Sequence, residues 1–181
     1  SLIEGLKINQ TVQSLGLGYT ELGMIGMEAI ADLIRTTGNL RVLDISNNDI
    51  SAEMLKPVAL ALRETIGLRH INISHHCIGQ SGAYYLADAL ENNQGLEELL
   101  ACNVHSNERG IDSIGCQALA EALRNNCSLK KLWLGGNKIG SQGAQALADC
   151  LEVNHTLEEL RLEGNRIRPQ GGKSLARAVA M

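Results

Sequence analysis

Three adjacent residues, His75, His76 and Cys77, with Cys102 and His105 further on, offer the imidazole and thiolate donors that hold a zinc ion. No C-x-x-C spacing accompanies them, and Cys116, Cys127 and Cys150 are scattered, so neither a structural zinc site nor a disulfide framework is spelled out. Two adjacent acid pairs, Glu97-Glu98 and Glu158-Glu159, have the residue type for general acid–base work, and His70 is a candidate base with no nucleophile assigned beside it. The motifs G-x-x-x-x-G-K-S/T, G-x-S-x-G, H-E-x-x-H and a helix-opening G-x-G-x-x-G are all missing. Catalysis, a bound metal and a cofactor are therefore not expected.

These residues belong to a repeating frame. Aligned on Val12, Leu40, Leu68, Leu96, Leu129 and Leu157, the chain repeats itself at intervals of 28, 28, 28, 33 and 28 residues. A fixed period of that length is the mark of a solenoid. Gly26, Gly82, Gly115, Gly143 and Gly171 share one phase, broken only by Met54, and an apolar residue followed by alanine precedes each next anchor by ten. The copies run 12–39, 40–67, 68–95, 96–128, 129–156 and 157–181 within one domain. Residues 1–11 are the tail of a further helix, and the chain is expected to be a piece of a longer protein whose solenoid ends associate.

Within each copy, alternation such as Leu132-Trp133-Leu134 has period two and predicts a short strand, while Leu147, Ala148 and Leu151 form a helical stripe. Pro169 falls where a helix should start, which suits its missing N–H. Pro57 falls inside the expected helix of copy two and predicts a late start there. Asn93, Asn126 and Asn154, three residues before the next anchor, predict left-handed helix exits. Asn48, Asn137 and Asn165 should turn inward to backbone that a tight bend leaves unpaired, with Thr20 and His76 as less complete substitutes. That phase gives His76 a structural role in place of a metal ligand.

The fullest copies, Leu129, Leu132, Leu134, Asn137, Ile139 and Leu157, Leu160, Leu162, Asn165, Ile167, read L-x-x-L-x-L-x-x-N-x-I, the leucine-rich repeat signature. Across essentially its whole length the chain resembles the ribonuclease-inhibitor-like branch, which includes ribonuclease inhibitor, the sensor ends of NOD-like receptors, the Ran GTPase-activating protein and the actin-capping end of tropomodulin. The resemblance implies an α/β solenoid, a right-handed horseshoe segment with a parallel sheet on its concave face and helices on the convex face. It implies a non-enzymatic protein-binding module. The alternatives are a regulator of a small GTPase, onto which no residue here can be mapped, and actin capping, for which no feature is recognisable. Fold alone does not choose among them.

In that frame the outward central row of the concave face is Gly16, Asp44, Asn72, Leu100, Trp133 and Arg161, flanked on one side by Ser14, Val42, His70, Glu98, Lys131 and Glu159 and on the other by Gly18, Ser46, Ser74, Cys102, Gly135 and Glu163. Trp133, the one tryptophan of a chain without phenylalanine, is aimed at solvent with Arg161 beside it. It is either an interface anchor or a cover for the sheet against Arg161 and Leu100. The five extra residues of copy four fall between Cys102 and Gly110 and place His105, Glu108 and Arg109 on a rim loop, as a binding loop or a tolerated insertion. The candidate protein-binding residues are Asp44, His70, Asn72, Glu98, Leu100, Lys131, Trp133, Arg161, His105, Glu108 and Arg109.

Composition sets the partner class. A formal charge of −4, from 16 basic and 20 acidic residues interspersed along the chain, gives no reason to expect nucleic acid or an anionic membrane. No apolar run approaches the roughly 18 residues of a membrane span. Five cysteines without a framework fit a reducing setting, cytoplasmic or nuclear, and the expected partner is another protein.

Overall fold

The computed structural model describes residues 2–103 and 110–180. Helix α1 (Leu2–Ile8) leads into six strand–helix units: β1 (Ser14–Gly16) and α2 (Gly23–Thr36), β2 (Val42–Asp44) and α3 (Ala52–Glu64), β3 (His70–Asn72) and α4 (Gly79–Asn92), β4 (Glu98–Leu100) and α5 (Ser113–Leu123), β5 (Lys131–Trp133) and α6 (Ser141–Leu151), β6 (Glu159–Arg161) and α7 (Arg168–Val179). The strands form one parallel sheet in chain order, and each helix packs on its sequence neighbours. Parallel strands need a crossover, and each helix supplies one.

Strand register follows the repeat phase: Leu15, Leu43, Ile71, Leu99, Leu132 and Leu160 form one inward row. The interior members of that row are fully buried, with Met27, Ile30, Leu55, Leu86, Leu119 and Leu147 packed over them from the helices. In copy six Leu157, Leu160, Leu162 and Leu175 stand half-buried around a groove of about 380 Å³. The shared glycine phase is a matter of helix spacing. A Cβ on Gly115 would stand 2.8 Å from Ala83 Cβ, and one on Gly171 2.8 Å from Ala144 Cβ, so consecutive helices touch where the side chain is missing.

Two ladders of side-chain amides, most of them buried, tie consecutive repeats together at their ends. At the strand exits, Asn48 donates through Nδ2 to Leu17 O and Ile45 O while its Oδ1 accepts from the backbone N–H of Thr20 and Leu22. Asn137 bridges Ala101 O and Leu134 O, and Asn165 bridges Leu134 O and Leu162 O. Each amide therefore ties its own copy to the preceding one, as the inward asparagine phase predicts. The matching bonds from Ile111 N to Asn137 and from Ile139 N to Asn165 confirm that Ile111 aligns with Ile139 beyond the insertion.

The second ladder corrects an expectation. Asn93, Asn126 and Asn154 are not left-handed exits; Asn93 has a φ of −87°, and none of the three is among the positive-φ residues. They are buried, and each reaches back a full repeat: Asn93 to Leu62 O and Thr65 O, Asn126 to Leu90 O and Asn93 O, Asn154 to Leu123 O and Asn126 O. Their Oδ1 atoms accept from the backbone N–H groups that open the next copy, including Leu96, Leu129 and Leu157. A second expectation also fails. Helix α3 starts at Ala52, in phase with α6, and carries Pro57 inside it. Ser51 caps it by accepting from Met54 N, and packing of α2 and α4 on both sides holds the turn that proline weakens.

Candidate binding surface

The concave strip is built by strand register, which sets Gly16, Asp44, Asn72, Leu100, Trp133 and Arg161 side by side. Neighbours in a parallel sheet stand about 4.8 Å apart, so side chains one copy apart in sequence become partners. Asn72 Nδ2 donates to Asp44 Oδ2 at 3.2 Å, and the remaining oxygens of the two side chains accept from Ser46 N and Ser74 N. His70 Nδ1 meets Glu98 Oε2 at 2.8 Å. Val42, Asp44, His70, Asn72, Glu98 and Leu100 surround a shallow depression of about 270 Å³ with an apolar floor of Leu43 and Ile71.

At the C-terminal side of the strip, Arg161 lies flat on the Trp133 ring, 3.8 Å from guanidinium carbon to ring centroid. Arg161 Nε donates to Glu159 Oε1 at 2.6 Å, and Lys131 Nζ approaches the other Glu159 oxygen at 4.0 Å. The Trp133 indole N–H is buried and has no hydrogen-bond partner among the described residues. A desolvated donor without a partner costs about 1–3 kcal/mol.

Three of the four paired acids, Glu97, Glu98 and Glu159, are held by basic side chains. Glu97 accepts from Lys130 Nζ at 2.8 Å with Arg69 at 3.7 Å, and the Lys130 ammonium holds its carboxyl below the usual range. Glu98 is taken by His70 and Glu159 by Arg161. The strip is thus a set of matched charges. Both ring nitrogens of His76 are in use: Nδ1 accepts from Ile50 N and Nε2 donates to Ile45 O, so it serves as the asparagine rung of copy three.

Of the residues named from sequence, Asp44, His70, Asn72, Glu98, Leu100, Lys131, Trp133 and Arg161 lie together on the strip, while His105, Glu108 and Arg109 lie outside the described residues. Glu159 was missing from that set although it holds Arg161 in place; its position in the flanking row beside Lys131 was the available signal. Asn103 was missed as well. It is buried, and its side-chain amide has no hydrogen-bond partner among the described residues.

A family profile described as Leucine Rich repeat matches residues 39–59, 68–87, 125–148 and 153–176. The chain belongs to the leucine-rich repeat proteins. The profile covers copies two, three, five and six, and the same strand–helix unit recurs in the other two. The chain is 29% identical over 134 residues, 73% of its length, to NACHT, LRR and PYD domains-containing protein 14 of Mus musculus, and spans 13% of that protein. It is 28% identical over 132 residues to Ribonuclease inhibitor of Sus scrofa, spanning 28% of it, which fits the ribonuclease-inhibitor-like branch. In fold it is similar to the tropomodulin C-terminal domain of Caenorhabditis elegans, with a TM-score of 0.62 at 10% identity over 99% of this chain and 92% of that one. Among the described residues no helix is long and apolar enough to cross a membrane.

Proposed function

We propose that this chain is a non-enzymatic protein-interaction module, its six copies acting as one domain of a larger cytoplasmic protein, with the concave strip as its binding face. The observation that carries this reading is the Arg161–Trp133 stack: an aromatic anchor whose indole N–H has no partner among the described residues, capped by a guanidinium that Glu159 orients. Aromatic and arginine anchors of this kind dominate protein interfaces. A partner carbonyl that reached the indole N–H would relieve its desolvation, and a partner carboxylate would meet Arg161 already oriented. Glu98 and Glu159 are held by His70 and Arg161, which supports binding over acid–base chemistry. The half-buried apolar edge of copy six is the surface that end-to-end association would use.

The test is quantitative affinity capture with the native chain and with Trp133→Ala, circular dichroism confirming equal folding. A partner that depends on this anchor should lose about 30-fold in affinity, or about 2 kcal/mol. A captured partner that binds Trp133→Ala and Arg161→Ala as tightly as the native chain would sink the concave-face reading. A Ran-like GTPase and actin are direct arms: accelerated GTP hydrolysis or inhibited pointed-end elongation would replace the general reading with the corresponding specific one.

A further inference from the structure

The charge of the chain is even on average and uneven in place. Between Gly164 and Ala180 there are four cations, Arg166, Arg168, Lys173 and Arg177, and no aspartate or glutamate, in a protein whose formal charge is −4. All four are exposed, and none forms an ion pair among the described residues, whereas Arg35, Arg63, Arg69, Lys130 and Lys131 each face a carboxylate. Lys138, one copy earlier in the phase of Arg166, extends the group along the strand-exit rim, where Gly140 pairs with Arg166. Lys173 and Arg177 follow one turn apart on α7, so the patch runs about 14 Å along that helix.

Two features of this patch oppose folding. Arg168 has a φ of +59°. At the same phase the left-handed conformation is adopted in α2 and α4 by Gly23 and Gly79, while Ser51 and Gly140 stand extended. An arginine is thus held where glycine is the fitting residue, with Pro169 after it and no burial to compensate. Arg166 and Arg168 also crowd the positive end of the α7 dipole, where a carboxylate would be favoured. The potential they build there attracts anions.

We infer that the strand-exit rim of the last two copies and α7 form a second docking surface, which takes a short carboxylate-rich segment of a partner protein. Its length matches about four extended residues. Glu158 and Glu159 line one groove with Leu175 and Val179 of α7, so a longer polyanion would run onto them, and a short acidic peptide fits better than a nucleic acid or a lipid surface.

The test uses the whole chain and a fluorescein-labelled 12-residue Glu/Asp peptide, followed by anisotropy at low and moderate salt. Arg168→Gly should weaken binding about three- to fivefold and at the same time raise the melting midpoint by about 3 °C, because it removes both the charge and the strain. Arg168→Ala should weaken binding equally without raising the midpoint. Lys173→Gln/Arg177→Gln should weaken binding at unchanged stability, whereas Trp133→Ala, on the concave strip, and Lys56→Gln, on the distant helix α3, leave it intact, which keeps this surface separate from the concave one. Absence of peptide binding, or binding indifferent to Arg168→Gly and Lys173→Gln/Arg177→Gln, overturns the inference. So does tighter binding to a single-stranded oligonucleotide or to phosphatidylserine vesicles than to the peptide, or a fall in melting midpoint for Arg168→Gly.

Discussion

Replacing His76 by alanine and by asparagine, and measuring urea unfolding at pH 7.5 and pH 5.5, separates a structural rung from any other role for this histidine. The ring is 3% exposed; it accepts from Ile50 N at 3.3 Å and donates to Ile45 O at 2.9 Å. Ile45 O keeps a second donor in Asn48 Nδ2, so His76→Ala orphans one buried group, the Ile50 N–H, and opens a small cavity. The expected cost at pH 7.5 is about 2–3 kcal/mol. His76→Asn restores the residue type of copies two, five and six and should cost less than about 1 kcal/mol. Burial lowers the pKa of His76 from 6.5, because the charged ring would be desolvated there. Below pH 6.5 the unfolded chain therefore binds more protons than the native one, and the stability present above 6.5 is lost as pH falls toward the folded value. At pH 5.5 the loss is at most about 1.4 kcal/mol. The other four histidines are common to both proteins, so the native-minus-His76→Asn difference isolates this group. An equal pH dependence in His76→Asn, or a larger loss for asparagine than for alanine, would refute the assignment.

Asn126→Ala should be among the most damaging single changes in the chain. It removes donors to Leu90 O and Asn93 O and the acceptor for Ser128 N and Leu129 N, so about 4 kcal/mol of unfolding free energy should disappear in a urea titration, and a loss under 1 kcal/mol would dismiss the second ladder. For the thiols, burial pushes Cys116 up to about 12 and Cys150 to about 11, while Cys127 is exposed. Iodoacetamide at pH 8 should label Cys127 in minutes and leave Cys116 and Cys150 unmodified by peptide mass spectrometry until the chain unfolds. Early labelling of Cys116 would show that the α5–α6 contact opens.

Phase arithmetic made the scaffold legible because each repeat solves the same packing problem. Leu129, Leu132 and Leu134 must face inward together, which sets the row that Trp133 and Arg161 occupy on the other face. The strand-exit asparagines were legible for the same reason, since the bend beside them leaves backbone carbonyls that an amide at that phase can reach. The helix-exit asparagines misled because their local preference for the left-handed region competes with a tertiary use. The carbonyls that accept from them lie about a full repeat back in sequence, and nothing in one copy reveals that reach. Pro57 misled by local rule as well, since neighbours on both sides of α3 outweigh one missing hydrogen bond. Glu159 was hidden because its role is to hold Arg161, a contact within one strand that alternation assigns only to the outward side.

The two proposed surfaces differ in how their charges are spent, and that difference predicts how each should bind. On the concave strip His70, Lys131 and Arg161 already face Glu98 and Glu159, so an incoming partner must match a prearranged pattern or strand a charge. Such a surface contributes selectivity and a slow off-rate, with weak dependence on salt. On α7 and its rim the cations face solvent unmatched, and the helix dipole adds to them. That surface accelerates encounter with an acidic partner, and its contribution falls as the Debye length shrinks toward 8 Å at about 0.15 M salt. A partner touching both should show an association rate that falls steeply with salt in the native chain and clearly less steeply in Lys173→Gln/Arg177→Gln, while Trp133→Ala changes dissociation alone. If both variants acted on the same rate constant, the division between steering and selection would be wrong.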